Sequence, residues 1–383
     1  MTKIFASPGR YIQGYKEIEK LHRYIVNMGK RFLVVTSQGR SSAIKQTMED
    51  ALKNTECTLE FEIFKGECTR KEIFRIVDVI NNKETKIDAV IGIGGGKVID
   101  TAKGAAFFAN LPIVIIPTIA SNDAPTSSLS VIYSDEGTFE DVIFYHRSPE
   151  IVILDTNIIV HAPTRLLVAG MGDALATYIE ARTCVEAYRD NFISVGTAGM
   201  FEGASNIKAT NASYGLAKLC YEILLENGLQ AKLSAEKKLV TKAFENIVEV
   251  NSLLSGIGFE SNGVATAHAV YCGFSELQGR EHMYHGEYVA FGTIVMLVLE
   301  NRPKKEIDEA VKFCLSIGLP VTFEDMNLAD ITQAELDKVV EVASAPGQTS
   351  KVEPFEVTKE EMLAAIVTAD EIGKLYKAGG SLI

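Results

Sequence analysis

The chain has 383 residues, 47% hydrophobic and 23% charged, which is too long for one compact unit and apolar enough for a large core. A net charge of −12 at pH 7 argues against a nucleic-acid partner, since no stretch supplies the basic face that phosphates require. A membrane partner is excluded too, because apolar runs such as 113–117 and 289–299 are too short or too interrupted to span a bilayer.

Along the chain, the first 160 residues alternate between strand and helix. Residues 32–36, 58–64, 89–93, 113–116 and 151–154 read as strands. Residues 41–54, 71–82 and 97–110 read as helices, the second on the spacing of Ile73, Ile76, Val77 and Ile80. The strands are apolar without alternating, so both faces of a mostly parallel sheet should be covered. After His161-Ala162-Pro163 the period becomes helical to the end. We therefore expect an α/β N-terminal domain over 1–162 and an all-α helical domain over 163–383. Residues 187–212, rich in Gly, Ser, Asn and Thr, are expected to form a loop.

The six cysteines, at 57, 68, 184, 220, 272 and 314, form no CxxC pair, and no apolar h-region follows Met1-Thr2-Lys3-Ile4. Together these features read as reduced, mostly buried thiols in a cytoplasmic protein.

Gly94-Gly95-Gly96-Lys97 lies between a predicted strand and a predicted helix. Glycines there let the backbone approach an anion, and the helix N-terminus favours negative charge. The run lacks the third glycine of GxGxxG, and Val98 stands where a Walker A motif needs Ser or Thr. Three consecutive glycines are entropically costly for a mere turn, which favours phosphate binding over a ligand-free corner. A second loop, 117–128, is dense in short hydroxyls, carries Asp123, and follows the next strand. In an open α/β sheet both loops should face one crevice.

Asp173, His268 and His285 lie in three separate helical segments, the first expected to open at Gly170-Met171-Gly172-Asp173 and run over 174–182. One carboxylate and two imidazoles with an open position would make a catalytic site for a divalent metal. Each has an ordinary alternative: a helix-start acid, a satisfied core histidine and a surface histidine. Spacing alone leaves both readings open.

Residues 7–14 (SPGRYIQG), 92–103 (GIGGGKVIDTAK), 117–125 (PTIASNDAP), 172–176 (GDALA), 267–269 (AHA) and 284–292 (YHGEYVAFG) decide the matter. In order and over nearly the whole length, they resemble the glycerol dehydrogenases of the iron-containing, or group III, alcohol dehydrogenase family. The resemblance implies a dinucleotide domain, a helical domain, and a metal beside the nicotinamide in the cleft between them. It makes Asp173, His268 and His285 the metal ligands, usually for zinc, with ferrous iron the alternative. Ser37, Gly94, Gly95, Gly96, Lys97, Thr118, Ser121, Ser127, Leu129 and Tyr133 would line the cofactor site. Asp123 would orient the polyol, and His282 would relay a proton or support the metal. Hydride transfer between C2 of glycerol, or of a related 1,2-diol, and the nicotinamide would give dihydroxyacetone. The assembly would be a homo-oligomer, with octamers common in the family.

Three departures qualify that expectation. Thr36-Ser37-Gln38-Gly39-Arg40 stands where the family commonly has an aspartate for the adenosine ribose, and Arg40 offers a cation to a 2′-phosphate. NAD is expected, with NADP left open. Thr177 stands where iron-type relatives have a histidine, which fits a three-ligand zinc site. Residues 187–212 are longer than the usual pattern. The competing readings are a reductase of another small carbonyl or 2-oxo acid and a dehydroquinate-synthase-like lyase. The first needs a basic residue near the metal, the second several, and the loop 118–128 has no Lys or Arg.

Overall fold

A computed structural model of the chain describes residues 1–38, 41–194, 206–277, 279–280 and 283–383. The strands are β1 (Thr2–Lys3), β2 (Tyr11–Gly14), β3 (Arg31–Thr36), β4 (Thr58–Ile63), β5 (Ala89–Gly94), β6 (Ile113–Pro117), β7 (Leu129–Tyr133), β8 (Phe139–Phe144), β9 (Ile151–Asp155) and β10 (Ile207–Lys208). Of the helices, the longer ones are numbered. They are α1 (Ser41–Leu52), α2 (Arg70–Asn81), α3 (Gly96–Phe108), α4 (Thr164–Glu186), α5 (Asn211–Glu236), α6 (Lys242–Glu249), α7 (Ser255–Asn262), α8 (Thr266–Ser275), α9 (His285–Leu299), α10 (Lys304–Ile317), α11 (Gln333–Ala343) and α12 (Lys359–Lys377).

Six strands form one parallel sheet in the order β2-β9-β6-β5-β3-β4. Alternate residues of its strands enter two different cores. Leu33, Val35, Val90, Ile115, Val152 and Leu154 join α2, α3 and the helical half. Phe32, Val34, Ile91, Val114, Ile116 and Ile153 pack with Met48 and Leu52 of α1 and with Ile18, Leu21 and Ile25. Burial on both faces is why the strand sequences do not alternate.

The chain steps from β3 to β4 on one side and returns to β5 on the other, so the strand order reverses between β3 and β5. Ligands of open α/β sheets lie beyond the strand carboxyl ends at such a reversal.

Three pieces of the sheet region were not expected. β2 lies at the edge beside β9, where four half-buried residues lack an apolar run to announce them. β7 and β8 form an antiparallel hairpin, and the two-residue β1 pairs with β10 in parallel. β10 also interrupts the region 187–212 expected as loop, of which 195–205 lie outside the described residues.

A helix expected to open at Gly170-Met171-Gly172-Asp173 instead runs unbroken as α4, with Asp173 near its middle. Its glycines serve close approach rather than termination. A Cβ on Gly170 would lie 2.3 Å from the Ala120 carbonyl oxygen, and one on Gly172 would lie 2.2 Å from that of Gly286. Gly286 in turn meets the Ala169 carbonyl, and Gly292 meets that of Ala267, at 1.8 and 2.4 Å from a hypothetical Cβ. Thus α4, α8 and α9 cross backbone against backbone. No helix among the described residues is long and apolar enough to cross a membrane.

Candidate active site

The glycine turn closes β5 and opens α3. Gly95 is the helix N-cap and no side chain caps it, so the first-turn N–H groups have no protein partner from that source. The hydroxyl-rich loop lies over the turn. A Cβ on Gly95 would lie 3.0 Å from Ile119 Cδ1, and one on Gly96 would lie 3.0 Å from Asn122 Nδ2. Ser37 is exposed just past β3, on the other side of the reversal, and Arg40 lies outside the described residues. Lys97 pairs with Glu67, and its Nζ stands 5.1 Å from the centroid of the Tyr133 ring.

Thr118 and Ser121 are half-buried in the same loop, whereas Ser127 and Leu129 are buried in its scaffold. That scaffold is organised by Lys103 of α3. Its buried Nζ donates to the carbonyls of Ala124 (2.9 Å), Ser127 (3.3 Å) and Leu129, and pairs with Asp100 (2.9 Å). Sequence reading missed it, because the loop's cation comes from a helix more than twenty residues earlier in the chain. Cys68, on the same side, has its thiol pushed up to about 12 by burial, consistent with a structural thiol.

Four further bonds tie the loop to the helical half. Asn251 Nδ2 donates to the Ala120 carbonyl (2.9 Å), and Thr126 Oγ1 donates to that of Ser252 (2.7 Å). Ser255 Oγ donates to Asp123 Oδ2 (2.8 Å), and the Ser128 amide donates to Glu260 Oε1 (2.8 Å). Asn251 and Ser252 belong to one π-helical turn, Val250–Leu254, between α6 and α7. Such turns re-aim side chains and recur at functional sites.

Asp173, His268 and His285 converge. His285 Nε2 lies 3.1 Å and His268 Nε2 3.6 Å from Asp173 Oδ1, and one donor atom from each residue falls within 4.8 Å of the others. Asp173 is 2% exposed, and its buried Oδ2 has no hydrogen-bond partner. A buried carboxylate with one oxygen against two imidazoles and the other unpartnered fits a divalent cation, because a cation would supply the missing partner. His268 Nδ1 contacts Glu180 Oε2 at 2.6 Å, and the Tyr271 ring stands edge-on to His285 with centroids 4.3 Å apart. His282 lies outside the described residues.

The electrostatics follow from burial and neighbours. Burial acts to raise the Asp173 carboxyl, but the His285 charge and then the hydrogen bonds to both imidazoles hold it well below the carboxylate range. Burial acts to lower His268, yet the Glu180 carboxylate and then Asp173 raise it well above its ordinary value. Asp123 is pushed well above the carboxylate range by burial and then by the charge of Asp173, with the Ser255 bond opposing. Two carboxylates close together are thereby driven to opposite proton affinities. The Thr177 hydroxyl lies 2.9 Å from Ser255 Oγ. Ser255 and Glu180 carry no sequence motif, and only packing shows their part, as it does the bond from Thr177 to Ser255.

The family model described as iron-containing alcohol dehydrogenase matches residues 8–156. Glycerol dehydrogenase of Citrobacter freundii is 42% identical over 378 residues, covering 99% of this chain and 100% of that protein. Glycolaldehyde reductase of Halobacterium salinarum is 39% identical, covering 98% and 99%. Among solved structures, glycerol dehydrogenase of Schizosaccharomyces pombe superposes with a TM-score of 0.91 at 32% identity, covering 98% of this chain and 93% of that one.

Proposed function

The chain belongs to the iron-containing alcohol dehydrogenase family, and from that premise we propose that it oxidises glycerol or a related 1,2-diol at C2, giving dihydroxyacetone from glycerol. The observation that carries this reading is the placement of Asp123 beside Asp173, His268 and His285, on the loop that also covers the glycine turn.

Asp173, His268 and His285 would hold a divalent metal, and the turn 94–97 would face the pyrophosphate of a nicotinamide dinucleotide. When bound, the metal supplies Lewis acidity toward a hydroxyl and the nicotinamide accepts a hydride. Asp123 has Oδ2 engaged by Ser255, which leaves Oδ1 for a substrate hydroxyl. With the Ser255 proton given to Asp123, Thr177 donates to Ser255, so two hydroxyls hold the carboxylate's orientation. Its raised proton affinity suits Asp123 to take the hydroxyl proton as the C2–H bond breaks and to return it to solvent. The carbonyl, the transferred hydride and the released proton then balance.

Zinc is the proposed metal, because Thr177 places a hydroxyl already engaged by Ser255 where a fourth protein ligand would stand. NAD is the proposed acceptor. A division into 1–162 and 163–383, a cytoplasmic location, and a homo-oligomer of octameric type complete the proposal. Sedimentation would measure the assembly directly.

One assay tests the reading: the near-ultraviolet absorbance of reduced nicotinamide. Glycerol, propane-1,2-diol and lactate are run forward and glycolaldehyde in reverse, each with NAD or NADP, before and after chelation. Turnover of a diol that stops on metal removal is the expected result. Failure with every diol, or full activity after stripping, overturns it.

A further inference from the structure

Glu180 lies on α4 seven residues after Asp173, two turns along the same helix face. It is 0% exposed, and two backbone N–H groups and an imidazole nitrogen converge on its carboxylate. Oε1 accepts the backbone N–H groups of Ala265 (2.9 Å) and His268 (3.0 Å), and Oε2 lies 2.6 Å from His268 Nδ1. Ala265 is the N-cap of α8 and makes no side-chain capping bond, so Glu180 supplies from another helix what the cap lacks. We infer that Glu180 is a positioning residue that fixes the orientation and tautomer of His268, and so sets the affinity of this site for a divalent metal. The inference rests on the metal-site reading above.

Which groups can donate decides the tautomer. Backbone N–H groups only donate, so Oε1 must accept twice. An ionised carboxylate accepts at Oε2 as well, which commits His268 Nδ1 to carrying a proton. Nε2, turned toward Asp173, is then the nitrogen left for a metal. One helix therefore delivers a ligand at 173 and the support of a second ligand at 180. A rotation of α4 would disturb both together.

An amide of the same shape cannot do this. In Glu180→Gln the carbonyl must face the two backbone N–H groups, which turns the NH2 toward Nδ1. Nδ1 must then accept, the ring proton moves to Nε2, and ligation must first work against that tautomer. A group that merely capped α8 would tolerate this change, because the carbonyl still serves both N–H groups.

The test uses the full-length purified protein and zinc(II) alone as probe. Zinc affinity is measured by competition with a chelator for wild type and Glu180→Gln, with thermal unfolding of the metal-free proteins alongside. Zinc binding about 10–100-fold weaker in the variant, with metal-free unfolding close to wild type, is expected. Equal affinities overturn the inference while leaving the metal site standing. A wild type that binds no zinc overturns both. Should the variant not fold, the zinc-loaded wild type decides by NMR, where His268 must show a protected, downfield Nδ1 proton. Its absence overturns the inference.

Discussion

At the scale of single residues, the site depends on side chains whose roles come from their neighbours. His268→Ala removes one of two imidazoles facing Asp173 Oδ1 and should abolish stoichiometric metal and activity together. Metal analysis that finds zinc at full occupancy in that variant would show the ligand set to be wrong. Ser255→Ala removes a donor from Asp123. That bond favours the carboxylate and opposes the upward push of burial, so its loss raises the Asp123 pKa further. If Asp123 acts ionised, the acid limb of the kcat/KM profile must move to higher pH, with kcat/KM for glycerol down about tenfold, the order of one hydrogen bond to a charged group. An unmoved profile in the variant would separate Ser255 from the chemistry. Asp173, His268 and His285, which converge in the fold, and Asp123 were all singled out from the sequence, through the short motifs that carry the family resemblance. Glu180, Ser255 and Lys103 were not, since each acts on residues far along the chain through a contact that no local pattern encodes.

At the scale of elements, the crossing of α4 with α9 decides where Asp173 and His285 meet. Gly172→Ala or Gly286→Ala would drive a methyl into a backbone carbonyl and force the helices apart, at a cost of about 1–3 kcal/mol or more. Gly215 on α5 supplies the control, since a Cβ there meets nothing within 4 Å. Gly215→Ala should be neutral or stabilising by up to about 1 kcal/mol, from helix propensity. Urea unfolding of the metal-free proteins distinguishes these outcomes, and comparable losses at 172 and 215 would refute the packing argument. The sequence showed five sheet strands, since burial on two faces writes an apolar run. It misled at Gly170-Met171-Gly172, where glycines that normally punctuate a helix instead permit close approach to the hydroxyl loop and to α9. The edge strand β2 was hidden because half-buried edge residues need no distinctive pattern.

For the molecule as a whole, a buried carboxylate outside the site makes stability depend on pH. Glu353 is fully buried, its Oε1 accepts from Thr266, and its Oε2 has no partner. Burial and then the charge of Glu300 push it up to about 8 from an ordinary 4.5. The folded state thus keeps a proton that the unfolded chain releases. The associated stability is complete below about 4.5 and is lost as pH rises through about 8. Thermal midpoints should therefore fall between pH 6 and pH 9, and Glu353→Gln should flatten that decline. Parallel slopes in the two proteins would assign the pH dependence to other groups.

The sequence by itself determined the parallel sheet, the helical second half and the glycine turn, and it singled out the three residues that the fold brings together as a candidate metal site. Each of these is written in local composition, in periodicity or in short motifs whose chemistry depends on residue type. Only the tertiary structure decided that Asp173 sits within a continuous helix, that Thr177 serves Ser255, and that the hydroxyl loop is bonded to the helical half through Asn251, Ser252 and Glu260. These features depend on close approach between segments distant in sequence. Backbone contact at a glycine, or an ion buried beneath a loop, has no signature until the chain is folded.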